Sequence, residues 1–235
     1  MSPAQQAPAT QPPEYAQAVF EALIDEYGIQ QRTFDADPLD MLIGTILSAN
    51  TNDVNSGRAF RELKERYGGN WGAVRYAPLE DIKQAIRVAG MYNQKAPNIV
   101  NTLTRIYDGR GEYSLDFLEE MDVTDAMTYL TALPGVGHKT ASIVLLFRYG
   151  KATFPVDTHV QRISQRLGVV PSRASAEQVK RAWESLLPDE TFFTLHVNLI
   201  QHGRTICHAR KPKCDRCVLF ELCDFAQQRA EWELG

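Results

Sequence analysis

Apolar residues recur at helical spacing along most of this chain. One long stripe near the start falls at i, i+4, i+5, i+8, i+9 and i+12, and shorter stripes follow. The members are Tyr15, Val19, Phe20, Leu23, Ile24 and Tyr27; Leu39, Leu42, Ile43, Ile46 and Leu47; Val160, Ile163 and Leu167; and Val179, Trp183, Leu186 and Leu187. No segment alternates apolar and polar residues between turn signals, which disfavours a sheet-based core. The pattern predicts an all-α protein of short helices.

Two segments depart from this amphipathic pattern. Ala141–Phe147 is apolar on nearly all sides, which is typical of a helix buried at the centre of a domain. Residues 1–13 are mostly Pro, Ala and Gln, carry no charged side chain and contain few large apolar groups. They therefore have too few apolar side chains to pack into a core. The sequence therefore predicts a central buried helix at 141–147 and a disordered tail at 1–13.

Length and composition are those of an ordinary globular protein. The 235 residues correspond to one large or two small domains, and 44% hydrophobic with 23% charged residues excludes a wholly disordered, collagenous or coiled-coil chain. The longest strongly apolar run, Ile143–Phe147, is far shorter than the roughly 20 residues of a membrane span. No Lys or Arg precedes Arg32, whereas a secretory signal begins with positive charge. We expect neither a membrane span nor secretion.

Positive charge is concentrated in two short segments. Residues 133–168 contain five Lys or Arg and one acid, and residues 207–217 contain four Lys or Arg and one acid, although the whole chain has a formal net charge of −4. A polyanion can bind such segments on an otherwise acidic protein. Scattered surface charge is the alternative interpretation, and charge alone does not separate the two.

The segment Leu133–Thr140, with the sequence LPGVGHKT, leads directly into the predicted buried helix. Gly135 and Gly137 flank one residue, so both allow positive φ and leave backbone N–H groups free of side-chain bulk. At a helix N-terminus such amides bind anions together with the positive end of the helix dipole. A tight turn between helices needs the same glycines, and the spacing leaves both interpretations open.

Lys139 falls in the first turn of that helix, beside the most apolar stretch of the chain. The helix dipole and the apolar neighbourhood both disfavour an ammonium group. A neutral lysine amine is a nucleophile that can form a Schiff base with a sugar carbon. A solvated lysine at a helix start is the ordinary alternative.

Asp157, in the segment FPVDTHV, follows a proline-containing turn and precedes a predicted helix. This position is typical of an N-cap, whose carboxylate accepts hydrogen bonds from amides two or three residues ahead. A carboxylate held in this way stays ionised and oriented, so it can also stabilise a developing cation. The two roles are compatible.

All four cysteines lie in one C-terminal window, as Cys207, Cys214, Cys217 and Cys223. Because no secretory signal is expected, two disulfides are disfavoured. Four thiolates can bind a zinc ion or an iron-sulfur cluster, and ligand chemistry alone leaves both open. The loop between the first two cysteines, 208–213, is basic and suited to meet phosphates.

In combination, LPGVGHKTA, VDTHV and the C-x6-C-x2-C-x5-C spacing resemble the helix-hairpin-helix DNA glycosylases, specifically the endonuclease III family. The resemblance extends from about Phe20 to Cys223. It implies an all-α fold with a six-helix barrel domain and an iron-sulfur cluster domain. The implied boundaries are 31–151 for the barrel, with the helix-hairpin-helix motif near 127–149, and 14–30 with 152–235 for the iron-sulfur domain.

The resemblance also implies the chemistry. Lys139 is the implied attacking amine and Asp157 its carboxylate partner, in a base excision repair glycosylase and AP lyase that removes oxidised pyrimidines. Such an enzyme extrudes the damaged nucleotide, because its C1′ is hard to attack inside a stacked duplex. It then displaces the base, forms a Schiff base and cleaves the strand by β-elimination. The four cysteines are the implied ligands of a [4Fe-4S] cluster that clamps the loop 208–213.

Two further motifs carry implied DNA contacts. Asn50, in LSANTND, stands where the family usually has Gln to fill the gap left by the flipped nucleotide, and Asn is one methylene shorter. Met91, in AGMYN, stands where an apolar wedge, commonly Leu, enters the duplex. The other implied contacts are the hairpin amides, a lesion-pocket histidine and the basic loop. They are Gly135, Val136, Gly137, His159, Arg210, Lys211 and Lys213.

The expected partner is double-stranded DNA that contains damaged bases or abasic sites, bound by a monomer in the cytoplasm at the nucleoid. Two alternatives share part of the pattern. An adenine- or thymine-mismatch glycosylase has the same hairpin and cluster but generally lacks the lysine. A non-catalytic iron-sulfur DNA-binding protein would use the hairpin and the cluster without chemistry.

Overall fold

The computed structural model describes residues 9–33 and 36–234, with the side chains of 230–234 outside the description. Within these ranges the chain is helical and has no β-strand, as the apolar spacing predicts. The chain divides into two compact units. We call Thr33–Lys151 the central unit, and the described residues up to Arg32 together with those from Ala152 onward the terminal unit.

The described part of the central unit contains seven α-helices, one more than the six predicted. They are α2 (Pro38–Ser48), α3 (Asp53–Arg66), α4 (Trp71–Tyr76), α5 (Leu79–Ala85), α6 (Tyr92–Arg110), α7 (Val123–Thr131) and α8 (His138–Tyr149), with 3₁₀ turns at Arg87–Ala89 and Asp116–Glu119. The short helices α4 and α5 are separate elements because Pro78 lies between them, and a proline cannot continue a helix from its interior.

Helix α8 packs against α2 and α7 in the core of the central unit. Ala141, Val144 and Leu145 are fully buried there and join the apolar face of α2, whose predicted stripe is buried throughout. Burial of each large aliphatic side chain contributes about 1.5–3 kcal/mol. Ile143 and Phe147 are half-buried, so the helix predicted at 141–147 lies inside the core without being enclosed on all sides.

The terminal unit combines the first helix with the C-terminal part of the chain. Its helices are α1 (Pro13–Tyr27), α9 (Thr158–Arg166), α10 (Ala176–Leu186), α11 (Phe192–Thr205) and α12 (Asp224–Leu234), with 3₁₀ turns at Asp189–Thr191, Cys214–Arg216 and Phe220–Leu222. The buried ring of Phe154 lies 6.2 Å from that of Trp183 and 5.8 Å from that of Phe192. Trp183 Nε1 donates to the buried Ser164 Oγ at 2.8 Å, which satisfies the indole inside this core.

The N-terminal segment differs from the predicted tail in its last residues. Residues 1–8 of the predicted tail 1–13 lie outside the described residues. The Thr10 amide donates to the Val169 carbonyl at 3.0 Å, and Pro13 is the first residue of α1. At the other end of α1, Gly28 has φ +77° and its amide donates to the Ile24 carbonyl, as expected for a glycine that ends a helix.

Candidate functional site

The hairpin between α7 and α8 needs a glycine at one position and not at the other. Gly135 has φ +77°, and a Cβ built on it would lie 2.7–2.9 Å from atoms of the Asn98 side chain. Gly137 has φ −93° and ψ 175°, with open space around the position of a Cβ. The chain therefore uses the positive φ that glycine allows at Gly135 but not at Gly137, which is the extended N-cap of α8.

Replacing Gly135 with Ala should destabilise the protein, since the new methyl group meets Asn98 and the backbone keeps a left-handed conformation. We expect the free energy of unfolding to fall by about 1–3 kcal/mol. Gly137→Ala is the matched control and should change it by less than about 1 kcal/mol. Urea denaturation at unchanged m-value measures both, and equal losses would contradict the assignment of strain to Gly135.

The N-terminus of α8 is open to an anion, although one of the predicted amide donors is not available. The Val136 amide donates to the Leu133 carbonyl at 3.1 Å, so it is already engaged within the hairpin turn. Gly137 offers no capping side chain, and the amides of His138 and Lys139 have no acceptor among the described residues. Unpaired amides at the positive end of a helix dipole form an anion site.

Lys139 is exposed on the first turn of α8. The predicted apolar surroundings are therefore wrong for the free protein. Residues two positions apart lie about 200° apart around a helix, so Ala141 faces the core while Lys139 faces solvent. The amine is thus accessible to a large substrate without any movement of the core.

Asp157 is the N-cap of α9, as its sequence position predicts. Its Oδ1 accepts hydrogen bonds from the amides of His159 and Val160, both at 2.8 Å. Among the described residues Oδ2 has no hydrogen-bond partner, and the residue is half-buried. One carboxylate oxygen therefore orients the group, and the other can interact with a ligand.

His159 is held by two residues that sequence reasoning missed. Arg162 donates from Nη2 to His159 Nδ1 at 3.1 Å, so a neutral ring carries its proton on Nε2. Gly203 lies directly against this ring, where a Cβ would be 2.6 Å from Nδ1. The imidazole can lie here because Gly203 has no side chain. In the sequence, the only sign of this contact is a glycine inside a helix.

Asn50 and Met91, which the resemblance assigns to the interior of the duplex, are in contact with each other. Asn50 Nδ2 lies 3.4 Å from Met91 Sδ, and both residues are exposed. Both also have a left-handed backbone, with φ +55° and +46°. The third described non-glycine residue with positive φ is Lys211. Strained backbone of this kind is common at functional sites, and all three of these residues are predicted DNA contacts.

Arg162 and Arg166 bind the backbone of the cysteine loop instead of facing a polyanion. Arg162 donates from Nε and Nη2 to the Cys207 carbonyl, at 3.0 and 2.7 Å. Arg166 donates to the His208 and Ala209 carbonyls and to Cys207 Sγ. Because the two arginines are four residues apart on α9, they lie on one face of the helix. This spacing is the feature of the sequence that indicates a shared role.

The other cations of the predicted basic segment 133–168 are mostly engaged as well. Lys151 Nζ donates to the Glu119 and Met121 carbonyls at 2.9 and 2.5 Å. Arg148 lies 4.0 Å from the Asp116 carboxylate. Of the five cations in this segment, Lys139 is the one that is exposed, which favours the scattered-charge interpretation for the other four.

The four cysteines form no disulfide, and their solvent access is restricted because Cys223 is buried and the other three are half-buried. Burial raises the pKa of the Cys217 thiol to about 11, and burial also raises the pKa of Cys214 and Cys223. The neighbouring cysteines raise these pKa values further. A metal or cluster that binds these thiols displaces their protons, because thiolates are the ligand form of cysteine.

A buried histidine adds a polar contact to this segment. His202 is 1% exposed, and burial, followed by the charge of Arg162, lowers its pKa to about 4. The Tyr27 hydroxyl oxygen lies 2.9 Å from His202 Nδ1, and His202 Nε2 lies 3.4 Å from Cys217 Sγ. If the tyrosine hydroxyl donates to Nδ1, the neutral ring presents its Nε2–H to the sulfur, as suits a negatively charged metal-bound thiolate.

The loop 208–213 presents free positive charge as predicted, except at one position. Arg210 and Lys211 are exposed and have no hydrogen-bond or ion-pair partner among the described residues. Lys213 is also exposed, but its Nζ donates to the Thr205 carbonyl at 3.1 Å. Two side chains of this loop are thus available to phosphates without loss of an internal contact.

Comparison with known proteins places the chain in a family. Residues 43–189 match the family described as HhH-GPD superfamily base excision DNA repair protein, and residues 207–223 match the iron-sulfur binding domain of endonuclease III. Endonuclease III of Thermotoga maritima is 37% identical over 203 residues, which are 85% of this chain and 89% of that protein. The chain belongs to the endonuclease III family. Endonuclease III of Escherichia coli K12 is 33% identical over 82% of this chain and 86% of that protein.

Solved structures confirm the predicted fold. The structure of a trapped endonuclease III-DNA covalent intermediate has a TM-score of 0.80 and 28% identity, covering 94% of this chain and 100% of that chain. A thermostable thymine-DNA glycosylase shares the fold alone, with a TM-score of 0.74 at 20% identity, covering 92% of this chain and 98% of that one. The family membership confirms the prediction of a base excision repair DNA glycosylase and AP lyase.

The cysteine window 207–223 is accordingly an iron-sulfur binding segment. No helix in the described ranges is both long and apolar enough to cross a membrane.

Proposed function

We propose that this endonuclease III family member removes oxidised pyrimidines from double-stranded DNA and cleaves the strand at the resulting abasic site. The observation that carries the proposal is Lys139, an exposed amine on the first turn of a helix whose N-terminal amides are open to a phosphate. A primary amine beside an anion site is suited to meet a sugar whose backbone phosphate is already bound.

In the proposed reaction the neutral Lys139 amine attacks C1′ of the extruded nucleotide. The bond between C1′ and the base breaks, and the base leaves with a proton. The remaining amine proton passes to the ring oxygen O4′ as the bond between C1′ and O4′ breaks, which gives an imine between the Lys139 nitrogen and C1′. Removal of a C2′ proton then breaks the bond between C3′ and its phosphate oxygen. Asp157, held through Oδ1, stabilises the positive charge that develops on the sugar.

The proposed DNA contacts follow the geometry of the individual side chains. The amides of Gly135, Gly137 and His138, which have no acceptor among the described residues, bind a backbone phosphate. Asn50 and Met91 enter the duplex together, with Asn50 in the vacated space and Met91 as the apolar wedge. His159, fixed in one orientation, contacts the lesion. We propose that the protein acts as a monomer, in the cytoplasm with the nucleoid.

A lesion panel tests this substrate assignment. Oligonucleotide duplexes would carry oxidised pyrimidines, uracil, a mispaired adenine, a mispaired thymine or a plain abasic site. We expect excision of the oxidised pyrimidines and strand cleavage at the abasic site. Excision restricted to the mispaired adenine or thymine would replace the proposal with the mismatch-specific alternative.

We propose that the group held by Cys207, Cys214, Cys217 and Cys223 is a [4Fe-4S] cluster. The four cysteines lie within the residues that match the iron-sulfur binding domain of endonuclease III, and this match supports a cluster over zinc. When bound, the cluster supplies a crosslink that fixes the loop 208–213. Iron and inorganic sulfide analysis of the purified protein tests this assignment, and zinc without iron would contradict it.

The loop cations should contribute to the salt dependence of DNA binding. We expect log Kd to change linearly with log salt, with a slope that becomes shallower by about 1.8 when Arg210 and Lys211 are both replaced by Gln. A charge-matched control is Arg66→Gln with Lys83→Gln, since these cations already pair with Glu62 and Glu80. Fluorescence anisotropy over a salt series measures the slopes, and an unchanged slope in the loop variant would exclude phosphate contact.

A further inference from the structure

Lys95 is a buried lysine that the proposed chemistry does not use. It lies in the first turn of α6 and is 4% exposed. Its ammonium group donates to the Leu47 carbonyl at 2.8 Å and to the Ala89 carbonyl at 2.9 Å. No acidic side chain among the described residues pairs with it, so two neutral oxygens are its partners.

This placement is costly for a cation. Burial lowers the pKa of Lys95, and the first turn of a helix is the end at which the dipole disfavours positive charge. An apolar side chain of similar length would fill the same space without either cost. The two hydrogen bonds are therefore the feature that distinguishes lysine from an ordinary core residue at this position.

Both carbonyls lie at the C-terminal ends of helical segments. Leu47 belongs to the last turn of α2, and Ala89 ends the 3₁₀ turn Arg87–Ala89. Neither oxygen accepts a backbone hydrogen bond among the described residues. One ammonium group thus satisfies a buried acceptor from each of two separate segments.

The two segments lead directly to the proposed DNA-inserting residues. Asn50 comes three residues after Leu47, and Met91 comes two residues after Ala89. Each has positive φ, and their side chains are in contact at 3.4 Å. A change in the spacing of the Leu47 and Ala89 carbonyls would therefore separate Asn50 from Met91.

We infer that Lys95 is a positioning residue that ties these two loops together, so that Asn50 and Met91 enter the duplex as one preassembled unit. The inference rests on the proposed function, in which both side chains replace the extruded nucleotide in the stack. A residue with this role matters most when the enzyme must open a well-stacked, fully paired site.

Lys95→Met removes the donors at nearly constant length, and two duplexes separate positioning from stability. The first carries an oxidised pyrimidine opposite its normal partner. The second carries the same lesion opposite a nucleotide without a base. In this duplex there is no base pair to open and no opposite base to keep stacked. Single-turnover excision should fall about 10- to 100-fold on the first duplex and less than about 3-fold on the second. Lys83→Met is the control, because Lys83 pairs with Glu80 at the surface.

Equal losses on both duplexes would make Lys95 an ordinary core residue, and no loss on either would also overturn the inference. Adding Lys95→Met to the double variant Asn50→Ala with Met91→Ala should cause no further loss on the first duplex, because both side chains that Lys95 positions are already absent. Additive losses would contradict this coupling.

Hydrogen exchange of the free protein provides a readout that needs no substrate. Lys95→Met should accelerate exchange at the amides of 49–51 and 90–92 without a comparable change in α8, and unchanged exchange there would overturn the inference. A wild-type protein that excises neither lesion would instead contradict the proposed function. Should Lys95→Met not fold, Lys95→Gln retains a two-donor amide, and an intermediate duplex-dependent loss is expected.

Discussion

Lys139→Gln should abolish the covalent adduct that borohydride traps between this protein and DNA containing an abasic site. Borohydride reduces the imine to a stable amine, so the adduct reports directly on the attacking nitrogen. Removing the nucleophile of a covalent enzyme costs roughly 10⁶-fold in turnover, and strand cleavage should fall to the uncatalysed background. Because Lys139 is exposed and Gln favours helices, the free energy of unfolding should change by less than about 0.5 kcal/mol.

Lys83→Gln serves as the control for this experiment, since it removes one half-buried lysine charge that is already paired with Glu80. It should retain trapping and cleavage. An adduct that persists in Lys139→Gln would show that another amine attacks the sugar. A wild-type protein that binds the DNA and gives no adduct would support the non-catalytic DNA-binding alternative.

Asp157→Asn should separate DNA binding from turnover. An Asn side chain caps a helix about as well as Asp, so the bonds to the His159 and Val160 amides persist and stability should change little. The substitution removes the negative charge that stabilises the sugar cation, and we expect turnover to fall by about 10²- to 10³-fold. Single-turnover excision together with anisotropy at constant salt measures both effects.

Asp122 offers a matched comparison, because it caps α7 through the same kind of bond, to the Asp125 amide at 2.9 Å. Asp122→Asn should leave turnover unchanged. Asp157→Ala should lose turnover and also about 1 kcal/mol of stability with the cap. If Asp157→Asn proves fully active, Asp157 is a helix cap and nothing more.

Several parts of the site were predictable because they depend on local spacing. The cap at Asp157 follows from a carboxylate just before a helix, and the glycine at 135 follows from a turn that only glycine adopts easily. The four cysteines were predictable as one metal-binding window because thiol ligands are rare and closely spaced. In each case the interacting groups lie within a few residues of each other.

The wrong predictions concern where side chains point. The cations Lys151, Arg162 and Arg166 are basic in sequence, yet each donates to internal carbonyls. Lys139 is next to an apolar run in sequence and faces away from it in space. Charge and hydropathy along the chain do not contain these directions, because a helix turns neighbouring residues to different sides.

By itself the sequence determined the helices, their apolar faces, the capping residues and the types of chemistry present, because these depend on contacts between residues near in the chain. Only the tertiary structure decided which cations are free, which amides of the hairpin are open and which loops meet. Leu47 and Lys95 are 48 positions apart, and Asn50 and Met91 are 41 positions apart. Such contacts arise when separate helices pack, and packing depends on the combined shape of many buried side chains, which no local spacing specifies.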